Sequence, residues 1–358
     1  MAPSSSGLGR SPLKAEIAGS NPAGATNFLT IDPFAQKAPI TAMRYTHWRT
    51  KHVFAHHRPA LNCQRESMAQ NFDPVAFKET TRKQWQNAAA AWYRWTPTLQ
   101  EWLGPVTEAM LDMADLQPGD RVLDLAAGAG EPSLSAAEKV GPGGHVLATD
   151  ISSNILEFAA LTARDRGLNN FETRVMDGEN PDAPDASFDA VLSRLGLIYF
   201  PDRQGALRAA RRVLKSGGRV VLASFTTPDQ NRFFSIPISI IRRRAGLAPP
   251  APGLPGPFSL GAPGVMEEML RGAGFVDVST QVVRTPLRLE SAAECVRFER
   301  ESFGALQQML AALPSADQNA AWEEIEHELA VFRTDSGFAA GAELIVGSGT
   351  KSQGADSR

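Results

Sequence analysis

Cysteine is almost missing from this 358-residue chain, which has only Cys63 and Cys295. Two cysteines are too few to build a disulfide framework or a zinc ligand set. No secretory signal is evident, so the expected compartment is the reducing cytoplasm. Long apolar runs are missing too. A membrane span needs about 20 consecutive apolar residues. The best stretch, FFSIPISII at 233–241, is shorter, contains Pro237 and runs into three arginines. It reads as a buried or groove-facing helix. An excess of positive charge is also lacking: the formal net charge is −3. That leaves no electrostatic footprint for nucleic acid.

Histidine is scarce, and four of the six (His47, His52, His56 and His57) crowd into residues 1–67. HVFAHH (52–57) would be a metal cluster only if an ordered element held it, and none is evident. The flanking APSSSGLGRSPLKAEIAGSNPAGATN has many small residues and no hydrophobic period, a composition that predicts disorder. Gly19-Ser20-Asn21-Pro22 is what the T-arm of a transfer-RNA gene gives when read as codons. Residues 1–67 are therefore expected to be a mis-translated upstream segment, with the true start at Met68. The segment holds eight Lys/Arg and three Asp/Glu, so the rest of the chain is more acidic still.

Apolar content is ordinary at 43%, enough for a sizeable core. Asp73-Pro74 reads as a helix start, with Asp as cap. Phe77, Trp85, Ala88, Trp92 and Trp95 recur at helical spacing up to Pro97. There the tryptophans, with Tyr93, are expected to be core rather than a substrate pocket. A second helix is expected from Pro105 to Asp115. Strands are then expected at 121–126, 144–150, 171–176, 188–194 and 219–225, alternating with helices at 131–140, 152–167 and 202–214. This is β-α-β repetition with short connections. It predicts an α/β doubly wound, mostly parallel sheet covered on both faces. Beyond it come a helix (229–245), a Pro/Gly connector or lid (248–264), a helix (264–275), a strand (276–289), helical residues 291–333 and a last strand (342–348). The final ten residues are polar and expected to fray.

Ligands of such sheets bind beyond the carboxyl ends of the strands, at the switch in strand order. Asp124 ends the first strand, with Gly128 and Gly130 in the turn after it. Asp150 ends the second, Asp177-Gly178 the third and Ser193-Arg194 the fourth. Asp150 follows Gly130 by twenty residues, where its carboxylate can accept from both hydroxyls of an unmodified ribose. Two cofactors fit this pattern. A dinucleotide needs G-x-G-x-x-G and a helix N-terminus for its pyrophosphate. Here Ser133 stands at the third glycine and Glu131-Pro132 open the helix. A carboxylate there would repel a pyrophosphate, and Asp124 adds a second negative charge. The ligand end near these acids should be cationic, which S-adenosylmethionine, with its amine and sulfonium, satisfies.

The run VLDLAAGAGEPSL, ATDIS, RVMDGENP, FDAVLSRLGLIYFPD and ALRAARRVLKSGGRVVLASF resembles the class I S-adenosylmethionine-dependent methyltransferases. It is most similar to their ubiquinone/menaquinone-biosynthesis C-methyltransferase-like, small-molecule branch. The resemblance covers residues 68–348 as a fold and is specific over 119–226. It implies a seven-stranded sheet with an antiparallel last strand. N-terminal helices over 68–118 and insertions at 227–262 and 290–335 would form a cap on a domain spanning 119–348, before a disordered tail at 349–358. It implies that Asp124 lies near the methionine amine, and that Ala126, Gly128 and Gly130 line the turn beneath the methionine and ribose. Asp150 would bind the ribose, Ile151 pack on the adenine, and Asp177 accept from the adenine amino group beside Gly178. Ser193 would lie near the methionine carboxylate. The partner would be a small-molecule methyl acceptor, methylated on oxygen or carbon, with no nucleic acid, no metal and no membrane span, in a monomer or homodimer. No catalytic residue is named. His145 starts a strand far from the site, His327 is expected on a solvated helix face, and Glu294, Glu299 and Glu301 are remote candidates. Two alternatives are a nicotinamide-dependent oxidoreductase on the same fold and a non-catalytic module that binds an adenosyl ligand.

Overall fold

The computed structural model describes residues 72–353. The expectations for residues 1–67, for the start at Met68 and for the last five residues lie outside that range. Asp73 caps α1 (Pro74–Arg94), its Oδ1 accepting from the amides of Val75 and Ala76 at 2.9 and 3.1 Å. The second helix, α2 (Thr96–Ala114), begins nine residues earlier than expected. Pro97 does not break the path; it sits in the first turn of α2, where no amide hydrogen is required.

Then come β1 (Arg121–Leu125), α3 (Ser133–Val140), β2 (His145–Asp150), α4 (Ser153–Asp165), β3 (Phe171–Val175), β4 (Phe188–Arg194), α5 (Arg203–Val213) and β5 (Leu214–Phe225). The chain continues through α6 (Arg232–Arg244), α7 (Val265–Gly272), β6 (Phe275–Leu289), α8 (Ala292–Ser302), α9 (Gly304–Leu310), α10 (Ser315–Leu329), β7 (Arg333–Thr334) and β8 (Gly337–Lys351). The helical stretch expected over 291–333 is thus three helices. The gap between the helix expected at 202–214 and the strand expected at 219–225 lies within β5 as an irregularity: Phe188 pairs with Leu214, but Ala190 pairs with Arg219.

The sheet order is β3-β2-β1-β4-β5-β8-β6, with β7 pairing β8. The two-residue β7 makes eight strands where seven were expected. The doubly wound sheet with an antiparallel last strand is as expected, since β8 alone runs against its neighbours β5 and β6. Alternate strand residues face opposite ways. Val122, Val146, Leu192 and Val221 join the core under α2 and α3, while Leu123, Leu147, Val191 and Val220 pack toward α5 and α7. The order reverses between β1 and β4, which opens the crevice at their carboxyl ends.

β8 is longer than the expected 342–348 and continues to Lys351, inside the stretch expected to fray. The reason is β6, which pairs with it from Phe275↔Lys351 to Leu289↔Phe338. Because Phe225 ends β5 opposite Leu344, the rest of this ribbon projects past the carboxyl ends and carries the cap helices. Trp102 of α2 joins cap to sheet. It is 1% exposed, and its ring meets Phe225, Phe233 and Phe298 at centroid distances of 6.1, 5.2 and 6.3 Å. Thr285 Oγ1 donates to the Trp102 carbonyl at 2.7 Å. The Pro/Gly connector is tethered: Arg203 Nη2 donates to Leu254 O and Ser259 Oγ, both at 3.0 Å, and Gly256 N donates to Ile198 O at 2.9 Å. Among the described residues no helix is long and apolar enough to cross a membrane.

Trp102→Ala should lower unfolding stability by about 3–5 kcal/mol in urea denaturation, the usual cost of deleting a buried large ring. Trp102→Phe should cost less than half of that. It keeps ring contacts and removes an indole N–H that has no partner among the described residues.

Candidate active site at the carboxyl ends of the strands

A cavity of about 450 Å³ opens above β1, β2 and β4 under the cap. This is within the usual range for small-molecule sites. One half is polar and is lined by Ala126, Gly128, Glu131, Asp150, Ile151, Asp177 and Gly178. The other half is apolar and aromatic, with Trp85, Trp92, Leu99, Leu103, Tyr199, Phe225 and Phe303.

The β1 turn is shaped by local backbone. Ala126 has φ 59° and Gly128 φ 57°, a left-handed region that glycine adopts without a Cβ penalty. Gly128 N then donates to Asp150 Oδ2 at 3.1 Å, and Ser152 N donates to Oδ1 at 2.9 Å. Each carboxylate oxygen keeps accepting capacity. Burial pushes the Asp150 carboxyl up to about 6, while the amides of Ser152 and Gly128 pull the other way. Asp177 Oδ1 accepts from Glu179 N at 3.0 Å and Oδ2 from Lys78 Nζ at 2.6 Å. Lys78 also pairs with Glu179, so α1 is clasped onto the β3 end of the cavity. At Gly178 a Cβ would fall 2.4 Å from the tip of the Phe200 ring, so a larger residue would require that ring to shift.

Asp124, Gly130 and Ser193 are not on the cavity wall. Asp124 is fully buried behind it. Its Oδ2 accepts from Ser133 Oγ at 2.5 Å, and its Oδ1 has no partner among the described residues. Burial raises this carboxyl to about 7; the Ser133 hydrogen bond and the charge of Arg194 oppose the rise. Ser193 departs furthest from expectation. Its hydroxyl donates to Leu125 O at 2.9 Å, tying β4 to β1, and it does not face the cavity. The next residue, Arg194, does.

Glu131 also differs from expectation, because its charge is paired. Oε1 meets Arg166 Nη2 at 2.9 Å and Oε2 accepts from Ser135 Oγ at 2.7 Å. Simple repulsion of a pyrophosphate therefore weakens as an argument. Occupancy replaces it, since the first turn of α3 already receives the chain's own carboxylate, where an anion would otherwise bind.

Trp85 and Trp92 line the cavity, against the expectation of core, whereas Trp95 is buried and Tyr93 stacks on Phe158 at 4.6 Å. Helical spacing cannot tell core from pocket here, because a cap helix turns one face to both. His145 Nε2 lies 3.4 Å from Glu172 Oε2 at the start of β2, and neither it nor His327 lines the cavity. Glu294 is held by Arg297 and Glu301 by Arg94. Glu299 is buried in the cap, where burial alone drives its carboxyl well above the usual range. Lys78, Thr107, Arg166, Arg194, Tyr199 and Phe303 are wall residues that spacing did not mark. Arg194 alone carried a signal, standing at the strand end beside Ser193. Among the described residues no cluster of His, Cys, Asp and Glu is arranged to hold a metal ion.

Residues 116–236 match the model of a methyltransferase-domain family. Nocamycin O-methyltransferase of Saccharothrix syringae is 34% identical over 205 residues, 55% of this chain and 73% of that enzyme. Aklanonic acid methyltransferase DauC of Streptomyces sp. (strain C5) is 39% identical over 128 residues, 36% and 57% of the two chains. The ubiquinone/menaquinone biosynthesis C-methyltransferase UbiE of Shewanella frigidimarina is 35% identical over 119 residues, 33% and 47%.

Asp124 and Asp150 generate a pH prediction. Their folded values lie above the ordinary carboxyl value of 3.8, so the folded state holds protons that the unfolded chain has released. Stability of the protein without ligand should therefore fall as pH rises from about 4 to about 7, and then level off. Asp124→Asn should flatten part of this fall in urea titrations run from pH 5 to 8. An unchanged slope would count against a buried, proton-binding Asp124.

Proposed function

This chain belongs to the S-adenosylmethionine-dependent methyltransferases, and we propose that it methylates an oxygen or carbon of a small planar acceptor, phenol- or quinone-like, held in the aromatic half of the cavity. The observation that carries this reading is the union of two unlike halves in one chamber. A glycine turn with a buried carboxylate suits a nucleoside, and a ring-lined pocket suits a flat apolar molecule.

The residues fit the cofactor. In this reading Asp150 accepts from the ribose hydroxyls with the lone pairs its amide donors leave free. Ile151 packs on the adenine. Asp177 accepts from the adenine amino group while Lys78 Nζ holds its Oδ2, and Gly178 allows the close approach. The Ala126–Gly128 turn runs beneath the methionine portion. Gly130 and Asp124 support that turn from behind, and the unpartnered Asp124 Oδ1 biases it toward a cationic amine. Ser193 holds the strand ends together and is not proposed as a ligand.

When bound, the cofactor supplies a methyl group activated by the positive sulfur. What the chain must add is position and dryness. Both come from the cap: α1 and α2 close over the strand ends, and Trp85, Trp92, Phe225 and Phe303 exclude water from the acceptor half. Holding two reactants in attack geometry supplies much of an enzyme's acceleration.

Calorimetric titration tests the assignment. S-Adenosylhomocysteine should bind the wild-type chain, NAD should not, and Asp150→Asn should weaken binding about 10- to 100-fold. That corresponds to losing charge-assisted hydrogen bonds worth about 1.5–3 kcal/mol. NAD binding, or an Asp150→Asn variant with undiminished affinity, would overturn the assignment.

A further inference from the structure

Three cations line the chamber: Lys78, Arg166 and Arg194. Two are matched. Lys78 sits between Asp177 and Glu179, and Arg166 between Glu131 and Glu138. Arg194 pairs with no carboxylate among the described residues. Among the described residues the one hydrogen bond of its guanidinium runs from Nη1 to Thr107 Oγ1, at 2.7 Å. Asp124 and Glu131 attract it across space without touching it. A guanidinium has five donors in a fixed fork and stays charged in proteins. Arg194 therefore reaches the cavity wall with most of its donors unused, at the carboxyl end of β4. α2, the helix of Thr107, also contributes Leu99 and Leu103 to the aromatic half.

The same chamber lacks a free base for the acceptor. Neither described histidine lines it. Of its acids, Glu131 and Asp177 are held by cations, Asp150 is engaged by amides, and Glu108 is exposed on α2 at the rim. An acceptor with a neutral hydroxyl would have no group placed to take its proton. An acceptor that arrives as an anion, or ionises on binding, would meet an unmatched cation.

We propose that Arg194 is the acceptor-binding residue and that it holds an ionised oxygen, which makes the substrate class acidic phenols and enols rather than amines or simple alcohols. The inference rests on the methyltransferase reading of the chamber. The acceptor's O–H proton leaves to bulk water. The oxygen lone pair thereby freed, or its conjugated carbon, forms the new bond to the methyl carbon. The electron pair of the broken carbon–sulfur bond stays on sulfur, and the guanidinium is unchanged throughout. An ammonium acceptor would be repelled by the same group.

The test uses phenols whose ionisation is visible, alizarin and 4-nitrophenol, bound to the full chain loaded with S-adenosylhomocysteine. Absorbance is followed against pH for the wild type, Arg194→Met and Arg194→Lys. We expect the bound dye to ionise at least one pH unit lower than the free dye in the wild type. Arg194→Met should lose that shift and Arg194→Lys should keep part of it. Thr107→Val, which leaves the guanidinium in place without its anchor, serves as the measurement if Arg194→Met fails to fold, and should reduce the shift. If neither dye shows the shift in the wild type, or if Arg194→Met leaves it intact, the proposal fails. It also fails if Arg194→Met weakens S-adenosylhomocysteine tenfold or more but leaves 5′-methylthioadenosine unaffected, for Arg194 would then serve the cofactor's carboxylate. A wild-type chain that binds no S-adenosylhomocysteine would instead remove the methyltransferase reading beneath it, a separate result.

Discussion

The site depends on how the carboxyl end of β1 is tied to its neighbours. On one side Thr149 Oγ1 donates to the Asp124 carbonyl at 2.8 Å, Ala127 N to Thr149 O at 2.8 Å, and Gly128 N to the Asp150 carboxylate. On the other side Ser193 Oγ donates to Leu125 O. The turn after β1 cannot move without breaking bonds to both β2 and β4. The β1 turn and Asp150 are fixed by this knot, while Asp177, at the β3 end, is held separately by Lys78 and Glu179 N. Ser193 is thus important to the site without entering the cavity, and a buried hydroxyl of this kind is costly to leave unpaired.

The apolar half of the chamber has a different origin. Parallel strands end at the crevice, but β8 runs the other way, and with β6 it carries the sheet past the point where β5 stops. That overhang is a platform packed by α2, α6 and α8, and α9 and α10 rest in turn on α6 and α8. The rings of Trp102, Phe225, Phe233, Phe234, Phe298 and Phe303 fill the angle between platform and sheet. Phe225 and Phe303 belong to this core on one side and to the chamber on the other. Core stability and the shape of the acceptor pocket are therefore coupled.

How much of this was legible in the sequence follows from the range of the forces involved. The β-α-β order and the acids at the ends of β1, β2 and β3 come from local patterns, so they could be read directly. The length of β8 could not, because its ladder bonds go to β6, some sixty residues away in the chain. Pro97 is ambiguous in sequence for a related reason: a proline ends one helix or opens the next, and only the geometry at Trp95 decides. Lys78, Thr107 and Arg166 act through partners far along the chain, and no spacing rule connects them. Among the strand-end residues, Ser193 and Arg194 are adjacent, and adjacent residues point to opposite faces. The pattern located the strand end but not which of the two faced the ligand.

The charges of the chamber follow one rule. Asp177 and Glu131 each have a cation, and Asp150 has two amides, so none of these is an open anion for a base's work or a metal's. Behind the wall the buried acid left short is Asp124, whose Oδ1 has no partner among the described residues. The group left short on the basic side is Arg194. They lie at the ends of neighbouring strands, β1 and β4, and attract each other without contact. A cofactor that brings positive charge to the β1 turn and an acceptor that brings negative charge to the β4 end would satisfy both deficits. A dinucleotide does the reverse, placing its pyrophosphate at the helix start that Glu131 already fills.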